Sequence, residues 1–154
     1  MLRFLDCIES FAEVPDEISL YIPLTGCQIR CSECNSKWLW EFTGDELSTD
    51  RLSQLISDHK GITCICIGGG HDYSALNDLF SYTKQNTNIK TCWYTGLNYI
   101  PKSLDLNMLD YIKIGPYISE YGGLNCKETN QKFFVVHHDK SNMLENITFK
   151  FWKV

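Results

Sequence analysis

A strand-like run at residues 18–25 closes on Gly26 and delivers three cysteines at once. Cys27, Cys31 and Cys34 follow in the spacing C-x3-C-x2-C. A strand that ends in so tight a loop can aim three thiolates at one point, which restricts fold and chemistry together. Three thiolates suit an iron–sulfur cluster that leaves one iron open, whereas tetrahedral structural zinc takes four ligands. The nearest further candidates, Cys7 and His59, stand well outside the motif, so zinc needs a ligand recruited from a distance. Disulfide chemistry fits worse, because three clustered cysteines leave one thiol over.

The 154 residues suffice for a single domain, residues 1–154, with a real core. A hydrophobic share of 44% and an aromatic share of 13% are those of a folded chain, not a disordered tail. No apolar run approaches the roughly 18 residues that span a bilayer. The first residues lack a signal peptide's apolar core and small-residue cleavage site. Eight cysteines in such a chain predict a reducing, cytoplasmic setting, where the Asn146, Ile147, Thr148 sequon carries no meaning. With a net charge of −5 and no Lys/Arg cluster, neither nucleic acid nor membrane is expected as a partner.

Short apolar runs alternate with helix-like segments along the rest of the chain. Trp38, Leu39, Trp40 and Phe42 predict a short helix or turn under the cysteine loop. Ser48 is placed to cap a helix whose Leu52, Leu55 and Ile56 share one face. Residues 62–67 form a continuous apolar run, the pattern of a strand buried on both faces, and Gly68, Gly69 and Gly70 end it. A helix carrying Ala75, Leu76, Leu79, Phe80 and Thr83 leads to a strand at 89–95 that ends at Gly96. A short helix at 104–109 precedes a strand at 111–114 that ends at Gly115 and Pro116. The tail carries two further strands, 132–136 and 147–152, joined by a polar connection. Strand–helix alternation implies parallel pairing. The expected fold is an α/β, partial, open (β/α) barrel with a β-rich C-terminal end.

Ligands of parallel α/β sheets sit at the carboxyl ends of the strands. The cysteine loop, the triglycine, Thr95 with Gly96, and Gly115 with Pro116 all follow strands, so all four are expected on one rim. Glycines there let the backbone approach a ligand with no Cβ in the way. Carbonyls of such a turn could hold the ammonium of an amino-acid headgroup.

These motifs, together with Trp93, Tyr94 and the run Thr129, Asn130, Gln131, resemble a known family in the same order over most of the chain. It is that of the radical S-adenosylmethionine activating proteins of anaerobic ribonucleoside-triphosphate reductase. The resemblance implies that Cys27, Cys31 and Cys34 hold three irons of a [4Fe-4S] cluster. The fourth iron would take the amino and carboxylate groups of S-adenosylmethionine. Glu33, Cys34, Asn35, Gly68, Gly69 and Gly70 fall where the family touches this cofactor. Reductive cleavage would give methionine and a 5′-deoxyadenosyl radical, which takes hydrogen from a glycine Cα of the reductase. The electron would come from an external donor such as flavodoxin or ferredoxin. The cofactors carry the chemistry, and no side chain is required as acid or base.

The chain departs from the family at several positions. Gly70 stands where many relatives carry an acidic residue after the two glycines, with His71 and Asp72 following. Glu33 replaces an aromatic or apolar residue, residues 14–18 replace a glycine-rich segment ending in Arg, and Ile114 replaces the acid before Gly-Pro. Cys64, Cys66 and Cys92 read as buried structural thiols. Cys7 and Cys126 have no partner motif, and His137 and His138 read as solvated. The enzymatic alternatives are activation of another glycyl radical enzyme, such as pyruvate formate-lyase, or a small deazapurine-forming radical enzyme. From a different class, the alternative is a non-catalytic zinc or iron–sulfur binding module.

Overall fold

The apolar run at 62–67 enters an interior strand of a seven-stranded sheet. A computed structural model describes residues 1–30 and 36–152. In chain order the elements are β1 (Arg3–Phe4), β2 (Ile8–Ser10), β3 (Ser19–Pro23), β4 (Asp45–Glu46), α1 (Thr49–Asp58) and β5 (Cys64–Gly68). They continue with α2 (Tyr73–Asn86), β6 (Lys90–Tyr94), β7 (Tyr111–Ile114), β8 (Lys132–His137) and β9 (Met143–Asn146). The main sheet runs β2-β3-β5-β6-β7-β8-β9, and β1 pairs with β4 in a separate ribbon. Strands β3, β5, β6 and β7 are mutually parallel. Antiparallel pairs extend the sheet through β2 on one side and through β8 and β9 on the other.

Every residue of β5 is buried, as expected for a parallel strand covered on both faces. Ile65 and Ile67 face the helices, packing with Leu52 and Leu55 of α1 and Leu76, Leu79 and Phe80 of α2. Each such side chain, fully buried, contributes about 1.5–3 kcal/mol relative to exposure. Cys64 and Cys66 point to the other face, which we call the inner face, where Cys92, Tyr111 and Phe133 join them. Parallel pairing needs a crossover, and α1 and α2 supply the first two. Ser48 caps α1 by accepting from Arg51 N, and Asp72 caps α2 by accepting from Ala75 N. The third crossover, between β6 and β7, holds only a 3₁₀ turn at Leu106–Met108. It is tied to α2 through the Asn77 side chain, which bonds Ser103 O and Asp105 N at 2.8 and 2.9 Å.

The tail differs from the sequence reading. Residues expected as a strand at 147–152 form a 3₁₀ turn, Thr148–Phe151, and β9 lies earlier, in the stretch read as a polar connection. The Asn146 side chain causes the change: its Oδ1 accepts from Thr148 N at 3.0 Å and from Thr148 Oγ1 at 2.6 Å. Such a local bond offers the backbone a turn in place of the ladder. Strands β1, β2 and β4 are additional to those expected. Among the described residues no helix is long and apolar enough to cross a membrane.

Candidate functional site

The four glycine-bearing strand ends do meet on one rim. Leu24 N donates to Gly68 O at 2.8 Å, Gly69 N to Tyr94 O at 2.7 Å, and Thr95 N to Lys113 O at 2.9 Å, which links the carboxyl ends of β3, β5, β6 and β7 in turn. Gly115, after β7, packs on the 129–131 segment: a Cβ on it would stand 3.0 Å from Gln131 Cα. Asn130 Nδ2 donates to Pro116 O at 3.0 Å.

The cysteine loop starts here and is closed on itself. Gly26 N and Cys27 N both donate to Leu39 O, at 2.7 and 2.9 Å, so the 3₁₀ turn Lys37–Leu39 returns the chain to the loop's beginning. The Thr25 hydroxyl fixes the approach by donating to Thr43 O at 2.6 Å. The loop then lies across the neighbouring strand ends. Gln28 N donates to His71 Nε2 at 3.3 Å, and Ile29 Cδ1 lies 2.8 Å from where a Gly96 Cβ would stand. Arg30, in the left-handed region at φ 50, sets its guanidinium 5.5 Å from the Trp40 ring. Cys27 is a free, partly exposed thiol. Cys31, Glu33, Cys34 and Asn35, expected at the cluster and the cofactor, lie outside the described residues. His59 caps the far end of α1, on the amino-end side of β5, and its Nδ1 lies 3.2 Å from Glu9 Oε1. That placement sets it away from the cysteine loop.

The three glycines after β5 do three different things. Gly69 has φ +81, and among the described residues an added Cβ would find nothing closer than Leu24 O at 3.9 Å. Its carbonyl accepts from the Trp93 indole at 2.7 Å, which leaves a second lone pair. Gly70 abuts Leu24, whose Cδ1 would lie 2.7 Å from a Cβ. Gly70, His71, Thr25, Gly26, Gln28 and Phe42 line a recess of about 450 Å³ beside the loop. Gly68 makes room for Tyr21, whose hydroxyl would lie 2.6 Å from a Cβ there. Gly68→Ala is therefore expected to cost about 1–3 kcal/mol by overpacking. Adding Tyr21→Phe should recover part of that loss in denaturant unfolding. Strictly additive losses in the double-mutant cycle would mean the two residues do not press on one another.

Asp72 is occupied by the fold. Its Oδ1 accepts from Ala75 N, and its Oδ2 pairs with the Met1 ammonium. The hydrogen bond from that ammonium, then the one from Ala75, holds its carboxyl below the usual range. Cys64, Cys66 and Cys92 are fully buried, Cys66 in register with Cys92. Burial, then the neighbouring Cys66, pushes the Cys64 thiol up, and burial pushes up Cys92 as well. These thiols are inert core, as expected. His137 and His138 are not simply solvated: His137 Nε2 lies 2.8 Å from Glu145 Oε1 and His138 Nε2 3.4 Å from Asp110 Oδ1.

Sequence reasoning missed the inner-face residues below the rim. Tyr94 donates its hydroxyl to Glu13 O, and Lys113 donates to Gly115 O at 2.8 Å and to Thr95 O at 3.3 Å. Alternation along β7 put Lys113 opposite to Ile112, which was the available signal for it. Nothing in the local sequence marks Glu13.

Of the three loop cysteines only Cys27 lies among the described residues, as a free thiol, and no group of three potential metal ligands is present among those residues. A family model described as a 4Fe-4S single cluster domain matches residues 17–122, the span from β3 through the loop after β7. A search of curated proteins finds no match to the chain.

Proposed function

Because the chain belongs to the 4Fe-4S single cluster domain family, we propose that it is a radical S-adenosylmethionine activase of a glycyl radical enzyme. Its substrate in this reading is an anaerobic ribonucleoside-triphosphate reductase. The observation that carries the reading is the rim, where the Cys27 loop crosses the ends of β5 and β6 beside the open face of Gly69. Strands β3, β5, β6 and β7 would then form the parallel part of a partial, open (β/α) barrel, with β8 and β9 as its antiparallel end.

Cys27, Cys31 and Cys34 would hold three irons, leaving the fourth for the amino and carboxylate groups of S-adenosylmethionine. When bound and reduced, the cluster would supply the one electron for reductive cleavage of that cofactor, the chemistry that takes a hydrogen atom from the partner's glycine Cα. The electron enters from flavodoxin or ferredoxin. The chain's own residues position and shield. Leu39 O pins the loop's first two N–H groups. The second lone pair of the Gly69 carbonyl would accept from the cofactor's ammonium, and the resemblance assigns Glu33 and Asn35 to the same cofactor. The partner closes the rim, because the described chain leaves the space above Gly69 open.

The test mixes the anaerobically reconstituted, reduced protein with S-adenosylmethionine and an anaerobic ribonucleotide reductase. A glycyl doublet in the electron paramagnetic resonance spectrum, with onset of reductase activity, is the expected result. A doublet only with another glycyl radical enzyme, such as pyruvate formate-lyase, would keep the chemistry and overturn the partner. Absence of any 5′-deoxyadenosine would sink the activase reading.

A further inference from the structure

A carboxyl oxygen without a partner lies on the inner face of the sheet, beneath the rim. The connection between β2 and β3 folds back over that face and buries Val14 completely against Cys64, Cys66 and Cys92. This brings Glu13 beside Tyr94, whose hydroxyl donates to the Glu13 backbone carbonyl and not to its side chain. Glu13 Oε2 is buried and has no hydrogen-bond partner among the described residues. Leaving a buried acceptor unmade is unfavourable, and more so for a charged group.

Among the described residues no donor relieves it. Burial above all pushes the Tyr21 and Tyr94 phenols up, and Glu13 adds to both in the same direction. Lys113 sits 5.7 Å from the centre of the Tyr94 ring, with its ammonium directed at the carbonyls of Gly115 and Thr95. The position connects to the rim by direct contact. The Tyr94 ring lies 6.1 Å from that of Tyr21, whose hydroxyl presses on Gly68, and Tyr94 O accepts from Gly69 N.

We propose that Glu13 is a specificity-determining residue for the cofactor, its carboxylate taking the sulfonium charge of S-adenosylmethionine and so distinguishing it from the neutral thioether S-adenosylhomocysteine. The proposal rests on the function proposed above. A neutral donor such as a hydroxyl would complete the hydrogen bond but leave the charge uncompensated. A fixed cation compensates it, and away from bulk water that attraction is several-fold stronger than in water. Discrimination follows, because a neutral thioether, S-adenosylhomocysteine or the methionine left by cleavage, leaves the carboxylate uncompensated.

The experiment is anaerobic calorimetric titration of the cluster-loaded protein with each of the two ligands, before and after Glu13→Gln. Glutamine keeps the shape and an acceptor oxygen but removes the charge. Affinity for S-adenosylmethionine should fall about 10–100-fold, while that for S-adenosylhomocysteine changes less than about threefold. The iron content should be unchanged, and the ligand-free variant should unfold at a higher temperature, since an uncompensated charge has gone. Equal weakening of both ligands, or of neither, overturns the assignment of Glu13 alone. Failure of the unaltered protein to bind S-adenosylmethionine overturns both this assignment and the proposed function. If Glu13→Gln does not load the cluster, Glu13→Asp replaces it: shortening the reach of the charge must weaken S-adenosylmethionine selectively, and an unchanged preference between the two ligands overturns the proposal.

Discussion

Serine at Cys27, Cys31 or Cys34 is expected to abolish the stable four-iron cluster on anaerobic reconstitution, read as iron and sulfide content and as the broad visible absorption. Thiolate is the soft ligand that iron–sulfur clusters require, and a serine hydroxyl is a poor replacement. The proposed cluster has three protein ligands and no spare, so losing one leaves two irons without protein anchors. Leu39 O holds the N–H groups of Gly26 and Cys27, which fixes where Cys27 enters the loop. Cys64, Cys66 and Cys92 lie on the inner face with no exposure, packed with Tyr111 and Phe133. Replacing Cys64 or Cys92 by serine should lower stability by about 1–3 kcal/mol, the scale of a poorly satisfied buried hydroxyl, and keep the iron. A Cys92 variant that loses iron while a Cys31 variant keeps it would reverse the ligand assignment. Zinc in place of iron, in a colourless protein, would do away with the redox reading altogether.

Gly69→Val should keep the iron and lose reductive cleavage, measured as 5′-deoxyadenosine formed under dithionite. The residue has φ +81, a conformation that a β-branched side chain adopts only with strain of about 1–3 kcal/mol. The structure can bear that cost locally, because among the described residues a Cβ there meets only Leu24 O, at 3.9 Å. What the added methyl groups would fill is the open space beside the cysteine loop. Gly69→Ala, with a smaller side chain, should retain partial cleavage and a weakened affinity for the cofactor. Full 5′-deoxyadenosine production by the valine variant, at unchanged iron content, would reduce the triglycine to a turn.

The parallel part of the sheet was legible because its strands are uniform. Residues 62–67 have no polar interruption longer than Thr63, and glycines terminate β5, β6 and β7, so both the strands and their shared rim follow from pattern alone. The helix caps were equally plain in Ser48. The tail was not. Residues 147–152 alternate in a way that suits a strand, and only the Asn146 side chain, bonded to Thr148, turns them into a 3₁₀ segment. Strand β9 was hidden by the converse effect, since an edge strand with three of its four residues exposed or polar shows little apolar pattern. The candidate site was legible where chemistry is local, at Cys27 and Gly69. It was illegible where the chain folds back, as at Glu13 and Tyr94, which lie in different segments and meet only on the inner face. The distinct roles of Gly68, Gly69 and Gly70 also depend on neighbours distant in sequence, Tyr21 and Leu24.

The three thiols of the inner face have a use as a clock. Cys64, Cys66 and Cys92 cannot meet an alkylating reagent until the sheet opens, whereas Cys7, Cys27 and Cys126 are partly exposed in the folded chain. Modification of the buried set thus follows the opening of the core, and it does so by the equilibrium or by the rate of opening according to how fast the reagent acts. Release of a cluster would instead free Cys27 and leave Cys92 protected. One chain therefore keeps two separate times, one for the loss of its metal and one for the loss of its fold, and oxygen damage can be assigned to the first without being mistaken for the second.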